Sequence, residues 1–299
     1  MFIVNHRKIF FTLSLILVLA SVLTLISYGL NLGTDFTGGS ILEVSYQGSR
    51  PEAEAIRAPL NKLDLGPIAV SLAGEQDVVI RSTTLTEAEH LTVLKSLPFA
   101  SAIDQPPPTE KRFSSIGPAL GQELVRKGVI AIILVIILIL IYIAFVFRAT
   151  NNSWVYGIVV IITMIHDVII PTGIFAWLGF YYGVEIDSLF LTAFLTILGL
   201  SVNDKIVALD RIRENLRRKQ SGETFAETVG RSLSETLTRS VNTSLTVLFV
   251  LVAIFFLGSE STKYFALALA LGMIVATYSS VFIAAPLLVV WQKLSGRVK

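Results

Sequence analysis

The chain has no cysteine. That excludes a disulfide framework and any metal site built on thiolates. Histidine is scarce too: His6, His90 and His166 are scattered, with no metal-ligand spacing. The Gly-x-x-x-x-Gly-Lys-Ser/Thr run of a phosphate-binding loop is missing. Charge is sparse: 15% of the 299 residues are charged, against 53% hydrophobic. That balance excludes an ordinary soluble domain and points to a multi-pass membrane protein. No metal, cofactor or catalytic activity is expected.

What is there falls into six apolar runs and one polar insert. Ile9 to Leu30 is uncharged, and at about 1.5 Å per residue it spans roughly 30 Å of hydrocarbon. The run continues past Ala20 and Ser21, so it reads as an uncleaved first membrane helix rather than a signal peptide. Five more runs follow at Gly128 to Phe147, Ser153 to Leu178, Ser188 to Leu209, Ser240 to Leu257 and Tyr264 to Trp291. Three parts result: a tail and first helix (1–30), a polar domain (31–125), and five helices (126–299) with a basic loop at 210–238.

The polar domain shows the order β-α-β-β-α-β. Strands are expected at Ser40 to Tyr46, Ile68 to Leu72, Asp77 to Ser82 and Ser101 to Asp104. Helices are expected at Glu52 to Leu63 and Glu87 to Leu97, the second capped by Thr86. Pro106, Pro107 and Pro108 should stop regular structure. That order predicts a small α+β ferredoxin-like sandwich.

Short-loop lysine and arginine set orientation. Arg148, the loop with Arg211, Arg213, Arg217, Arg218, Lys219 and Arg231, and the tail with Lys293, Arg297 and Lys299 are basic, whereas 179–187 has neither residue. Both termini are therefore expected in the cytoplasm and the polar domain outside. A basic loop is the ordinary state of a cytoplasmic connection, so nucleic acid is not an expected partner.

The chemistry-bearing residues sit in or near apolar runs. Asp204 lies about 24 Å along the fourth run at the standard rise. An ionisable group at that depth costs a few kcal/mol or more, so it has a partner, a wet cavity or a job. Asp204 is a proton-carrying carboxylate, or the helix ends early and Asp204 and Lys205 snorkel to the interface. His166 and Asp167 form a second polar pair, nearer mid-membrane: a relay, or a polar contact that fixes packing. Pro171, one turn on, frees carbonyls and favours a kink. Arg239 opens a fifth run rich in hydroxyl and amide groups, among them Asn242. It is a cationic partner for Asp204, or only an anchor at the membrane surface. Asp35-Phe-Thr-Gly-Gly39 reads as a tight exit turn, since Gly38 and Gly39 tolerate positive φ.

These pieces together resemble the SecF family, the smaller subunits of the SecDF accessory complex of bacterial protein export. The resemblance rests on Asp35-Phe-Thr-Gly-Gly39 and His166-Asp167-Val168. It also rests on Val202-Asn203-Asp204 with Asp210-Arg211-Ile-Arg213-Glu-Asn215, and on Thr238-Arg239-Ser-Val-Asn242-Thr-Ser244. It covers nearly the whole chain. It implies one half of a bundle of the resistance–nodulation–division type, completed by SecD, in the bacterial inner membrane. It further implies association with the SecYEG channel, with the SecA motor and YajC among the other partners, and use of the proton motive force to promote preprotein export. The family's intramembrane aspartate and arginine map onto Asp204 and Arg239. Lys205 departs from the small hydroxyl residue of the family pattern, and a lysine there can compete with Arg239 for Asp204.

Three rivals remain. A small-molecule or lipid exporter of the same superfamily usually carries both halves in one chain. A two-aspartate intramembrane protease would use Asp167 and Asp204 sharing a proton, but Asp204 follows Ser-Val-Asn rather than Gly-x-Gly. A passive scaffold would have no need of charge inside the fourth run.

Overall fold

A computed structural model of the chain describes residues 2–48, 50–98, 106–148, 153–218 and 222–294. Contacts divide it into two units, residues 32–130 and residues 1–31 with 131–299.

In the first unit, β1 (Gly39–Ser45), β2 (Ala69–Ala73), β3 (Asp77–Ser82) and β4 (Thr109–Ile116) form an antiparallel sheet in the order β2-β3-β1-β4. With helices Ala53–Leu60 and Glu87–Ser96, this is the split β-α-β arrangement expected of a ferredoxin-like fold. On β1, Leu42 and Val44 alternate inward and Tyr46 continues the series into a core with Ile56, Leu60, Val78, Ile80 and Val93. Burial on one face of every second residue is what fixes strand register. The expected strand at 101–104 lies outside the described residues. The fourth strand instead follows the prolines, because three prolines end structure but leave the chain beyond them free to pair.

Thr86 caps the second helix as expected: its hydroxyl accepts from the Glu89 N–H, and the Glu89 carboxylate accepts from the Thr86 N–H at 2.7 Å. That reciprocal box satisfies two donors that would otherwise be orphaned. The exit turn is demanding. Gly38 has φ +80°, and a Cβ there would lie 2.8 Å from Pro118 Cα. A Cβ on Gly39, at φ +138°, would lie 2.7 Å from the Ser82 carbonyl oxygen.

The second unit carries the membrane-length helices, apart from the start of Pro118–Phe147, which belongs to the first. Among the described residues six helices are long and apolar enough to span: Arg7–Tyr28, Pro118–Phe147, Ser153–Tyr182, Ser188–Arg217, Phe225–Leu257 and a sixth from Glu260 to Leu294. The third and sixth are the most enclosed, and the second is the least. The third runs through Pro171 as one helix. Two residues on, Gly173 lets the first helix approach: a Cβ there would overlap Ser21. Thr24 Oγ1 donates to the exposed edge, the Gly173 carbonyl, at 3.0 Å. Small residues permit such backbone contact in membranes.

Two differences from expectation concern the helices, one at their ends and one inside the sixth. Much of the basic segment 210–238 is helical. The fourth helix runs on to Arg217, and the fifth starts at Phe225 with a capping box between Thr224 and Glu227. Hydropathy marks only the lipid-immersed part of a helix, whereas charged ends continue into water. The sixth is interrupted by a π-helical turn, Ser280–Ala284, between Ser279 and Ala285. Pro286, just beyond, has no N–H to donate to the regular ladder, and π-turns of this kind concentrate at functional sites.

Candidate functional site

The fourth helix is fixed at its start by Asp187, whose carboxylate accepts from the Phe190 N–H at 2.9 Å. Its buried stripe then recurs every three or four residues: Phe190, Ala193, Ile197, Ser201, Asp204 with Lys205, Ala208 and Ile212. That periodicity turns Asp204 and Lys205 into the bundle and leaves Asn203, between Val202 and Asp204, exposed.

The centre is Asp167 on the third helix, which has no exposed side-chain surface. Its Oδ2 accepts from Lys205 Nζ at 2.5 Å, Ser201 Oγ at 2.8 Å and Ser279 Oγ at 2.8 Å. Its Oδ1 lies 2.9 Å from His166 Nδ1, and His166 Nε2 lies 3.0 Å from Ser14 Oγ. A carboxylate only accepts, so Nδ1 carries the hydrogen, and in the neutral ring Nε2 accepts from Ser14. Lys205 also donates to Ser201 Oγ at 2.5 Å and to the Ser201 carbonyl at 3.3 Å. Three ammonium hydrogens thus meet three acceptors, and four donors meet one carboxylate. A buried ion pair is tolerable in lipid when every member is satisfied in this way. The network ties together the first, third, fourth and sixth helices.

Asp204 is oriented differently. It is 9% exposed, and the side chain beside it on the sixth helix is Thr277. Thr277 in turn shares a 2.6 Å hydrogen bond with Ser244 on the fifth. The cation inside the bundle is Lys205, and it is committed to Asp167. Arg239 is exposed, and among the described residues no hydrogen bond or ion pair joins it to Asp204. Asn242 is exposed on the same helix. Asp167 and Asp204 share no hydrogen bond among the described residues, and the Asp167 oxygens are already occupied, so the proton-sharing dyad of a protease is not formed.

The remaining motif residues clasp the end of the fourth helix. Arg213 pairs with Asp210 at 2.6 Å and donates to the Val146 carbonyl at 2.9 Å. Arg211 bonds Glu214 and Glu235, each at 2.6 Å, and Asn215 donates to Glu235 at 2.8 Å and Ser232 at 3.0 Å. These contacts hold the fourth helix to the fifth and to the end of the second. Asp35 lies in the short helix Thr34–Thr37 and is half-buried, while Gly38 and Gly39 serve a backbone turn. Among the described residues no group of three or more His, Asp and Glu could hold a metal ion.

Sequence reasoning missed Ser14, Ser201, Ser279 and the role of Lys205. One signal was available: hydroxyls at single positions in otherwise apolar runs are the residues that bridge membrane helices.

The family model "Protein export membrane protein SecD/SecF, C-terminal" matches residues 100–294, and "SecD/SecF GG Motif" matches residues 24–49. The chain is 42% identical to the protein translocase subunit SecF of Thermobaculum terrenum, covering 97% of this chain and 93% of that one. It is 36% identical to SecF of Anaerolinea thermophila over 97% of this chain and 94% of its relative. Among solved structures it is similar to SecDF, a translocon-associated membrane protein from Thermus thermophilus. The TM-score is 0.82 at 31% identity, covering 97% of this chain but 38% of that longer one.

Proposed function

The chain belongs to the SecF family of protein translocase subunits, and from that premise we propose that it is the proton-coupled half of a SecDF-type export complex. It is not an enzyme in this reading. Asp204 takes up and releases a proton, Arg239 tunes its charge across the interface with a SecD-type partner, and His166 with Asp167 forms the adjoining polar layer.

The observation that carries the reading is Asp204 itself. It is a carboxylate turned into a membrane bundle, with its neighbouring cation committed to another group. A charge crossing 100 mV is worth about 2.3 kcal/mol, enough to bias a two-state motion of a few kcal/mol. The exposed polar stripes support a partner. Thr192, Thr196 and Asn203 lie on one outer face of the fourth helix, and Arg239, Asn242, Thr243 and Thr246 on the fifth. Polar groups facing hydrocarbon are costly, so a second polar surface should cover them. The loop charges support a bacterial inner-membrane orientation with cytoplasmic ends and the ferredoxin-like domain outside.

Gentle solubilisation of the tagged chain from native membranes, with mass spectrometry of what accompanies it, tests the assembly. A SecD-type subunit in near-equal amount, with SecYEG, SecA or YajC in lower yield, is expected. Recovery of the chain alone, or as a homo-oligomer, would contradict the reading and favour an exporter built from identical halves.

A further inference from the structure

Two carboxylates enter the bundle from neighbouring helices, and their surroundings differ in kind. Asp167 is met by the Lys205 ammonium, two serine hydroxyls and the His166 ring, all of them buried. The side chain beside Asp204 is that of Thr277. The lysine that decides this is next to Asp204 in sequence, yet points elsewhere. Successive residues on an α-helix are turned by about 100°. Lys205 therefore reaches across to the third helix while Asp204 addresses the sixth.

We propose that Lys205 is a positioning residue, the internal counter-cation that holds Asp167 ionised and so leaves Asp204 as the carboxylate of this pair that exchanges protons. The assignment rests on the proton-coupled reading of Asp204 and adds the residue that sets the two apart. Protonating Asp167 would strand a buried ammonium and break up a fully satisfied network, which low-dielectric surroundings penalise heavily. Protonating Asp204 breaks no ion pair among the described residues.

The titratable groups around Asp167 are consistent with this division. Its own helix brings His166, whose second nitrogen is engaged by Ser14 of the first helix. The fourth brings Lys205 and Asp204. The sixth brings Tyr278, whose ring lies 6.4 Å from that of His166 and whose hydroxyl donates to the Phe10 carbonyl at 2.9 Å. The fifth brings the Ser244 hydroxyl, and its Arg239 is exposed and joined to neither carboxylate. Lys205 is thus the buried cation that adjoins Asp204 in the chain and bonds Asp167 across the bundle.

The test uses the assembled complex in inverted membrane vesicles and reads the pH profile of the export that depends on the proton motive force. Lys205→Met is expected to displace the midpoint of that profile by about one pH unit or more toward higher pH, because a neighbouring cation has been removed. Asp167→Asn combined with Lys205→Met removes both charges at once, and is expected to move the midpoint back toward that of the unmodified complex. Where the single variant fails to assemble, the double variant decides alone: a midpoint near that of the unmodified complex is expected, and one displaced by about one pH unit or more would overturn the assignment. An unmoved midpoint in an assembled Lys205→Met complex would overturn the assignment. So would a double variant that assembles but stays as displaced as the single one. Asp204→Asn in parallel separates the two levels: retained proton-dependent export there would overturn the reading of Asp204 itself, whatever the Lys205 variants do.

Discussion

Lys205 Nζ lies 2.5 Å from Asp167 Oδ2, and neither side chain has exposed surface. The pair joins the fourth helix to the third in the interior of the bundle. It also answers a question that sequence leaves open, namely which group the lysine beside Asp204 serves.

The pair should be structurally expensive to break and cheaper to remove. Asp167→Asn leaves the ammonium without its carboxylate, and is expected to cost about 3–5 kcal/mol of stability. Adding Lys205→Met should recover most of that loss. Thermal unfolding of the solubilised chain reads both. Equal midpoints for the single variant and the unmodified chain would show that the pair does not hold the helices.

Arg239 should behave in the opposite way. It is exposed, and among the described residues no ion pair joins it to Asp204, so Arg239→Met should change the stability of the isolated chain by no more than about 0.5 kcal/mol. In the assembled complex the same substitution should abolish most proton-dependent export. Full export by the variant complex would remove Arg239 from the coupling machinery.

The exit turn depends on Gly38 having no side chain. Gly38→Ala forces a non-glycine residue to φ +80° and sets a Cβ 2.8 Å from Pro118 Cα, and should cost about 1–3 kcal/mol. Gly74→Ala is a control: its φ is +54°, but a Cβ there meets nothing within 4 Å. Protease resistance of the polar domain in the full chain separates the two, and equal resistance would contradict the packing account.

Acid should loosen the polar domain. Burial pushes the Asp77 carboxyl upward, but hydrogen bonds from Lys111 and Ser45 and the charges of Lys111 and Arg50 outweigh it and hold the group below its usual value. Lys111 Nζ lies 2.6 Å away. A depressed carboxylate adds stability above its unfolded value of about 3.9, and that stability is lost as pH falls through the lower folded value. Asp77→Asn should therefore flatten the acid limb of the domain's unfolding curve. An unchanged limb would exclude Asp77 as a contributor.

The membrane helices and the ferredoxin-like order were legible because each rests on a local signal: long apolar runs, period-two burial on β1, and the Thr86 cap. The expected strand at 101–104 lies outside the described residues, and β4 at Thr109–Ile116 is not legible because prolines mark a stop without telling where pairing resumes. Asp204, Asp167 and His166 stood out as polar groups in apolar runs. Their connections did not, since Ser14, Ser201 and Ser279 are ordinary in sequence and meet only through packing of four helices. Lys205 reads as a neighbour of Asp204, for adjacency is visible in sequence, while the helix that each side chain meets across the turn of about 100° between them appears only in three dimensions.

The most direct test of the central claim is proton-dependent export by the assembled complex carrying Asp204→Asn, measured beside its assembly and its proton-independent export. The account predicts an assembled complex whose proton-dependent component is lost while the proton-independent part remains. An Asp204→Asn complex that still responds fully to the proton motive force would contradict it.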